Sequence, residues 1–270
     1  MPLYEDQFLE SHDFPRVDAP SKILIIASTA RSGSHMLGHA LYQTKKFGFP
    51  LEYTTPVNLA EWKRRLEMLD FHAVMAEVQR RRTSPNGVFS IKIHYPNINE
   101  VWGGFERLTK YFPGAYYILL SRKDVLRQAV SLSIAKQTGV WISGQKPTNL
   151  NPPKYDFAQI DQCLGETILN NSSWRYALAA GGCNYIEIDH DDVLDNLEKS
   201  VEIIASFSGV VVDASEMPSE QVTKAQSNQK NAEWATRFIS EFNKSNELLR
   251  NSKLSLAMRI KQKIKRIMHA

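Results

Sequence analysis

A short glycine-containing turn early in the chain carries residues suited to binding a phosphate. It reads Arg31-Ser32-Gly33-Ser34, and the apolar residues after it recur at helical spacing. A helix beginning there would direct free backbone N–H groups at an anion. Gly33 allows close approach of the main chain, Arg31 can bind two oxygens, and the hydroxyls of Ser32 and Ser34 add donors. The turn predicts a phosphate-binding loop, and a plain surface loop is the alternative.

A second group of candidate anion-binding residues follows the apolar run of residues 116–121. Arg122 comes directly after the run, and Asp124 begins a helical pattern that includes Gln128 and Ser131. The guanidinium and the hydroxyl would then meet at the carboxyl end of one strand. Two phosphate sites in separate turns predict a ligand with two separated phosphates. In the alternative, Arg122 pairs only with Asp124, and Ser131 faces solvent.

The elements that would position these residues alternate along the chain. Runs of β-branched and aromatic residues predict strands over 23–28, 88–94, 116–121 and 185–189. Apolar periodicity predicts helices over 34–46, 60–82, 124–137, 157–180 and 191–208. This alternation predicts an α/β fold, with a P-loop-like parallel β-sheet flanked by helices. We expect one domain over residues 1–252, with an exposed loop at 144–154.

The composition is that of a globular protein. The chain has 270 residues, of which 43% are hydrophobic and 23% are charged, so it can close a large core. No apolar run reaches the roughly 20 residues of a membrane-spanning helix, and we expect a cytoplasmic protein. The two cysteines, Cys163 and Cys183, are expected to be reduced thiols. No metal-binding motif is present, and we expect no metal.

Basic residues are concentrated in the C-terminal tail, residues 253–270. The tail contains no acidic residue, and its cations are Lys253, Arg259, Lys261, Lys263, Lys265 and Arg266. The net charge of +4 is therefore a property of the tail, which argues against a nucleic-acid groove on the body. Apolar residues recur in the tail at helical spacing. The pattern predicts either peripheral contact with the inner face of the membrane or a terminal helix docked on the body.

The order of the motifs resembles that of the sulfotransferases that use 3′-phosphoadenosine 5′-phosphosulfate (PAPS). Within them, the chain is most similar to the trehalose 2-sulfotransferase type. The motifs that carry the resemblance are residues 31–34, 48–53, 122–131 and 137–141, followed by Trp174-Arg175 and Glu233-Trp234. They occur in the same order and span most of the chain.

The resemblance implies the sulfotransferase fold and in-line transfer of a sulfuryl group from PAPS to a hydroxyl, without a metal. It implies that residues 31–34 bind the 5′-phosphosulfate and that Arg122, Gln128 and Ser131 bind the 3′-phosphate. Lys230 stands where sulfotransferases have a basic loop over that phosphate. Arg31 and the neighbouring helix start would also stabilise charge on the sulfuryl group during transfer.

Two residues compete for the role of general base. Glu52 matches the acidic residue that serves as the base in the trehalose type, and its apolar sequence neighbours are expected to raise its pKa toward neutral pH. Lys92 and His94 instead resemble the Lys-x-His segment of cytosolic sulfotransferases, where the histidine is the base and the lysine stabilises the bridging oxygen. A neutral imidazole is a suitable base. We favour Glu52 and keep His94 as the second candidate.

The segment around Glu52 is also expected to contact the acceptor, through Phe49, Pro50, Leu51 and Tyr53. The apolar side chains of Phe49 and Leu51 replace polar residues of the trehalose type, and they would leave sugar hydroxyls unpaired. We therefore expect a carbohydrate or a glycolipid as the acceptor rather than trehalose itself. Family members are often homodimers, so the resemblance also implies a homodimer, although the sequence shows no interface.

The sequence is also compatible with two other functions. A P-loop kinase or phosphotransferase would need a Gly-Lys pair followed by a magnesium-binding Ser or Thr, and the turn at residues 31–34 lacks that pair. A catalytically silent module could keep the nucleotide pocket and dock on a membrane through the tail. Binding of ATP with Mg²⁺ would favour the first, and membrane association without a sulfated product would favour the second.

Overall fold

A four-stranded parallel sheet forms the centre of the protein. The structure is a computed structural model and describes residues 4–142, 145–218 and 229–245. The strands are β1 (Lys22–Ser28), β2 (Val88–His94), β3 (Tyr116–Ser121) and β4 (Asn184–Asp189). They pair in the order β2-β1-β3-β4, and every pair is parallel. The predicted α/β fold is confirmed, with each strand within one residue of its predicted bounds.

Helices cover the sheet on both faces. In chain order they are α1 (Ser34–Gln43), α2 (Pro56–Leu66), α3 (Phe71–Arg82), α4 (Tyr95–Glu100), α5 (Phe105–Tyr111), α6 (Val125–Thr138), α7 (Phe157–Ala180), α8 (His190–Asp195), α9 (Leu197–Ser208) and α10 (Gln229–Ser245). The predictions over 34–46, 124–137 and 157–180 are confirmed as α1, α6 and α7, although α1 ends at Gln43. No helix in the described ranges is long and apolar enough to cross a membrane.

The predicted helix over 60–82 is wrong, because two helices occupy this region. Glu67 ends α2 in a left-handed conformation with φ of 54°. Asp70 then begins a new helix by accepting a hydrogen bond from the backbone N–H of Ala73 at 2.7 Å. Such a cap satisfies an N–H that the first turn leaves without a partner. The chain therefore turns between α2 and α3 at a place without glycine or proline.

The prediction of one continuous helix over 191–208 is also wrong, because two helices, α8 and α9, occupy this range. Asn196 has φ of −150°, which ends α8, and its side chain accepts a hydrogen bond from the backbone N–H of Lys199 at 2.8 Å to begin α9. The short helices α4 and α5 and the helix α10 have no counterpart in the sequence prediction. The basic tail at residues 253–270 lies outside the described residues.

The strands position the candidate residues by ending together. Alternating residues of β1 pack into apolar clusters on opposite faces of the sheet, Ile25 and Ala27 on one face and Leu24 and Ile26 on the other. The parallel register pairs Ser28 with His94 at the carboxyl ends of β1 and β2. Turns and side chains that follow parallel strands thus meet at one edge of the sheet, where ligands of open α/β sheets bind.

Candidate active site

A cavity of about 670 Å³ opens at the carboxyl ends of the strands. Its walls come from the turn between β1 and α1, the segment before α2, the end of β2 and the helices α6 and α7. This volume is within the range of small-molecule sites. Of the sequence-predicted residues, those that line it are Arg31, Gly33, Ser34, Leu51, Glu52, Lys92, His94, Arg122 and Ser131. The cavity is therefore the candidate active site.

The turn between β1 and α1 has a backbone that few residues tolerate. Arg31 has φ of 66° and Gly33 has φ of 87°, and α1 begins at the next residue. A Cβ atom on Gly33 would lie 2.1 Å from Cδ2 of His190, so only glycine fits between the turn and that ring. The first N–H groups of a helix have no partner within that helix, and Ser34, His35 and Met36 in the first turn of α1 line the cavity, a position typical of helix-terminal anion sites. Strained backbone of this kind concentrates at functional sites.

Arg31 joins the two predicted anion sites into one. Its Nε donates a hydrogen bond to Oγ of Ser131 at 2.9 Å, and its Nη1 donates to the backbone carbonyl of Trp141. Burial, together with the nearby charge of Arg122, lowers the pKa of Arg31 to about 10. The guanidinium remains protonated at neutral pH. Both arginines line the cavity, and the charge of Arg122 acts on that of Arg31.

Two buried side-chain donors, Nε of Arg122 and Oγ of Ser32, lack hydrogen-bond partners among the described residues. Arg122 lines the cavity, whereas Ser32 does not line it but lies between the lining residues Arg31 and Gly33. Ser32 itself is fully buried. Buried donors are nearly always satisfied, and an unsatisfied one marks strain or an absent ligand. Phosphate oxygens bound here would supply the missing acceptors.

Gln128 and Lys230 do not line the cavity. Gln128 is fully buried, and its Nε2 donates to Oγ1 of Thr29 at 2.9 Å and to the carbonyl of Ala30 at 2.8 Å. Gln128 thus stabilises the turn between β1 and α1 through these hydrogen bonds, and it does not contact the cavity. Lys230 lies in the first turn of α10, not in a loop, and its neighbour Asn231 lines the cavity in its place.

Both candidate bases belong to one hydrogen-bonded cluster. Oε1 of Glu52 lies 2.8 Å from Nζ of Lys92 and 3.0 Å from Nε2 of His94. Nδ1 of His94 is in turn 3.1 Å from Oγ of Ser28. The Glu52 and His94 side chains are 15% and 17% exposed, whereas that of Lys92 is 4% exposed. The cluster lies on the cavity wall and is largely shielded from water.

The expected rise in the pKa of Glu52 is wrong. Burial does raise this pKa, but the charges and hydrogen bonds of Lys92 and His94 outweigh burial and hold it well below its usual value of 4.5. The carboxylate is therefore ionised at neutral pH and can accept a proton. The apolar sequence neighbours do not decide its state, because residues from β2 surround it in space.

Most of the predicted acceptor residues lie in the core. Phe49 is fully buried and stacks on Tyr42 with ring centroids 4.1 Å apart, and Tyr53 is buried with its hydroxyl donating to the carbonyl of Phe49. Pro50 packs against Gly38 of α1. Of the four predicted residues, Leu51 alone lines the cavity. The placement of Phe49, Pro50 and Tyr53 gives them no contact with a ligand in this cavity.

Polar residues that the sequence analysis missed complete the walls. Beyond Glu52, they include the amides of Gln7, Asn58, Asn97 and Asn170 and the carboxylates of Glu100 and Glu166. Two histidines also line the cavity, His35 in the first turn of α1 and His190 at the end of β4. Burial, with the charge of Lys92, lowers the pKa of His35 to about 2, and burial also lowers that of His190. Arg122 was predicted because it directly follows a strand, and the same argument applies to His190, which directly follows β4.

Comparison with known proteins defines the class as a sulfotransferase. The profile of the Stf0 sulphotransferase family matches residues 23–241, and the chain belongs to this family. Trehalose 2-sulfotransferase from Mycobacterium tuberculosis is 26% identical over 125 residues. That alignment covers 46% of this chain and 46% of the relative, so the chain matches about half the length of this curated relative.

Solved structures with similar folds include two other sulfotransferases. The sulfotransferase domain from the curacin biosynthetic pathway is 16% identical, with a TM-score of 0.46, and the match covers 93% of this chain and 98% of that domain. A mouse sulfotransferase complexed with PAP is 18% identical, with a TM-score of 0.44, and the match covers 91% of this chain and 75% of that protein.

Proposed function

We propose that the protein transfers the sulfuryl group of PAPS to a hydroxyl of a carbohydrate. The observation that carries this proposal is the arrangement of one cavity. The arginines Arg31 and Arg122 lie on one part of its wall, and the ionised carboxylate of Glu52 lies on another. Sulfuryl transfer needs positive charge around the sulfate and the leaving phosphate, and a base at the attacking hydroxyl.

The donor would be held at its two phosphates. We assign the 5′-phosphosulfate to residues 31–34, where the start of α1 and the Oγ of Ser32, which has no hydrogen-bond partner among the described residues, would supply donors. We assign the 3′-phosphate to Arg122 and Ser131, because no described residue accepts a hydrogen bond from the Nε of Arg122. Arg31 contacts Ser131, so a single continuous wall serves both ends of the donor.

Glu52 is the better base because both nitrogens of His94 already have partners. Nδ1 faces Oγ of Ser28 and Nε2 faces Glu52, so a neutral His94 accepts from Ser28 and donates to Glu52. Both contacts to Glu52 from Lys92 and His94 fall on Oε1. Oε2 can then take the proton of the acceptor hydroxyl. The hydroxyl oxygen bonds to sulfur as the bond from sulfur to the bridging phosphate oxygen breaks, and adenosine 3′,5′-bisphosphate (PAP) leaves.

The walls beyond Glu52 favour a carbohydrate acceptor. Amide and carboxylate side chains such as Asn58, Asn97 and Glu100 can hydrogen-bond several hydroxyls of one sugar. A trehalose sulfotransferase among the relatives supports the same class of acceptor. A glycolipid acceptor has weaker support than the sequence suggested, because Phe49 lies in the core and not on the cavity wall.

Transfer of labelled sulfate tests the proposal. The protein is incubated with ³⁵S-PAPS and a panel of trehalose, maltose, methyl α-D-glucopyranoside and a glucosyl lipid, and the products are separated and counted. We expect label in at least one water-soluble sugar. Label in the lipid alone would contradict the carbohydrate assignment. A protein that binds PAP but labels no acceptor of the panel would contradict the proposed activity.

The alternative hypothesis of a P-loop kinase is tested by measuring the melting temperature with each nucleotide. The chain lacks the Gly-Lys pair that grips the β- and γ-phosphates of ATP in P-loop enzymes. We therefore expect PAP to raise the melting temperature, and ATP with Mg²⁺ to leave it unchanged. The opposite pattern would favour phosphoryl transfer.

A further inference from the structure

The N-terminal segment, residues 4–14, reaches the cavity although it precedes the range that matches the family. The family profile begins at residue 23, whereas Tyr4 and Gln7 are among the cavity-lining residues. The family match therefore does not cover this segment. Its place on the cavity wall points to a role in binding.

A buried arginine fixes the segment to the body. Arg82, at the end of α3, is fully buried, and its Nη2 donates to the carbonyl of Gln7 at 2.8 Å and to that of Leu9 at 3.1 Å. Its Nη1 lies 2.9 Å from Oδ1 of Asp13. The backbone N–H of Phe14 donates to the carbonyl of Arg81 at 2.8 Å. The chain from Gln7 to Phe14 is thus held by contacts with the end of α3.

The segment packs on the acceptor side of the cavity. Phe8 contacts Trp62 of α2 with ring centroids 5.0 Å apart, and Glu5 pairs with Arg65 of the same helix at 2.6 Å. The first turn of α2 contains Asn58, which lines the cavity and donates to the backbone carbonyl of Glu52 at 2.7 Å. The N-terminal segment therefore lies against the helix that holds the candidate base.

Gln7 has a side-chain acceptor atom to which no described residue donates. Its side chain is 1% exposed, and its Nε2 donates to the carbonyl of Tyr4 at 3.2 Å. Its Oε1 is buried, and no group in the described ranges donates to it. A buried amide oxygen on a cavity wall is a specific site for a hydroxyl or amine donor of a ligand.

The neighbouring side chains make this part of the wall uncharged. Tyr4 lies edge-on to His35, with ring centroids 4.8 Å apart, and its hydroxyl is 3.1 Å from Nε2 of His39. Burial, with the charge of Lys92, lowers the pKa of His35 to about 2, so this ring is neutral. An uncharged wall of aromatic rings and an amide suits a sugar ring better than an anionic ligand.

We infer that the N-terminal segment forms one wall of the acceptor site and that Oε1 of Gln7 accepts a hydrogen bond from a hydroxyl of the acceptor sugar. Gln7 would then be a specificity-determining residue, and Arg82 a positioning residue that acts through the backbone of Gln7. This inference rests on the proposed function, because it takes the acceptor to be a carbohydrate.

Steady-state kinetics of two Gln7 variants test the inference. Gln7→Leu and Gln7→Met replace the amide by an apolar side chain of similar size, which removes Oε1 and also the Nε2 donor to Tyr4. Two variants are used in case one of them fails to fold. Glu10→Ala is the matched control, because Glu10 is an exposed residue of the same segment. The acceptor is whichever water-soluble sugar of the panel gives the most labelled product, with PAPS saturating.

For the folded Gln7 variants we expect the KM for the sugar to rise about tenfold or more, because a site that loses a hydrogen-bonding partner binds the hydroxyl less well. The affinity for PAP should not change, and kcat should fall less than KM rises. An unchanged KM for the sugar in both variants would overturn the inference while leaving the proposed function intact. A wild-type protein that sulfates no sugar would instead overturn the proposed function.

Discussion

Oε1 of Glu52 lies 3.0 Å from Nε2 of His94 and joins the segment before α2 to the end of β2. The two residues that competed as the base are therefore partners in one site. Lys92 reaches the same oxygen at 2.8 Å, so the carboxylate is held from two directions. A base held in this way needs little reorganisation when a hydroxyl arrives.

Replacing each partner separately should reveal which one takes the proton. Glu52→Gln keeps the shape of the side chain but removes its basicity, so we expect kcat to fall about a hundredfold or more. His94→Ala should lower kcat less, because Glu52 and Lys92 remain. Initial rates with saturating PAPS and sugar measure both effects. A larger loss in His94→Ala than in Glu52→Gln would assign the base to the histidine.

The pH dependence of the reaction should follow the lowered pKa of Glu52. Burial raises this pKa, but Lys92 and His94 outweigh burial, so the carboxylate stays ionised until the pH falls well below 4.5. The acid limb of kcat/KM due to Glu52 is thus expected below that value. Removing His94 removes one cause of the lowering, so the acid limb of His94→Ala should lie at higher pH than that of the wild type. If the pH profiles of the wild type and His94→Ala superimpose, His94 does not lower the pKa of Glu52 and the prediction is wrong.

The same lowered pKa contributes to stability. A carboxyl whose pKa is lower in the folded than in the unfolded protein stabilises the fold above its unfolded pKa, near the usual 4.5. This contribution is lost as the pH falls toward the lowered folded pKa. Thermal unfolding at neutral and acidic pH should show that Glu52→Gln narrows the stability difference between the two conditions. An unchanged difference would show that Glu52 has the same pKa in both states.

The affinity for the donor should depend on the two arginines of the cavity wall. Arg122→Ala removes a guanidinium whose buried Nε has no hydrogen-bond partner within the described ranges, and we expect the Kd for PAP to rise about tenfold or more. Arg127→Ala is the control, since Arg127 is half exposed and pairs with Asp124 at the surface at 3.3 Å. Titration calorimetry with PAP measures both. Equal affinity in the two variants would remove Arg122 from the donor site.

Gly33 should tolerate no side chain. A Cβ atom there would lie 2.1 Å from the ring of His190, and the backbone has φ of 87°. Gly114→Ala is the matched control, because Gly114 has φ of 68° and open space around it. Both substitutions carry the left-handed strain of about 1–3 kcal/mol, but only Gly33→Ala should also abolish PAP binding. The melting temperatures of both variants measure the effect of backbone strain on stability. PAP titrations of both variants measure the effect of displacing the turn on binding.

The strands and the turn between β1 and α1 could be predicted because their signals are local. Runs of β-branched residues predict buried strands, and a glycine-containing turn after one of them predicts the start of a helix. The breaks within 60–82 and 191–208 were missed because Glu67 and Asn196 end helices without glycine or proline. Helix periodicity continues across both breaks, so composition alone did not show them.

The chemistry of the site depended on contacts that no local pattern contains. The pKa of Glu52 is lowered by Lys92 and His94, which lie about forty residues away in the sequence. They are brought to it because Leu51 pairs with β2, where the backbone N–H of Lys92 donates to the carbonyl of Leu51 at 3.0 Å. Phe49 looked like an acceptor contact because it is apolar and close to Glu52, yet it faces the core. Gln7 carries no motif, and its segment is held at the cavity wall by contacts with distant residues such as Arg82 and Trp62.

A crystal structure of the protein with PAP tests the central claim most directly. We predict the 5′-phosphate on the backbone and side chains of residues 31–34 and the 3′-phosphate within hydrogen-bond distance of Arg122, with Glu52 facing the space left for the acceptor. PAP bound at another surface, or a vacant cavity at saturating PAP, would contradict the account.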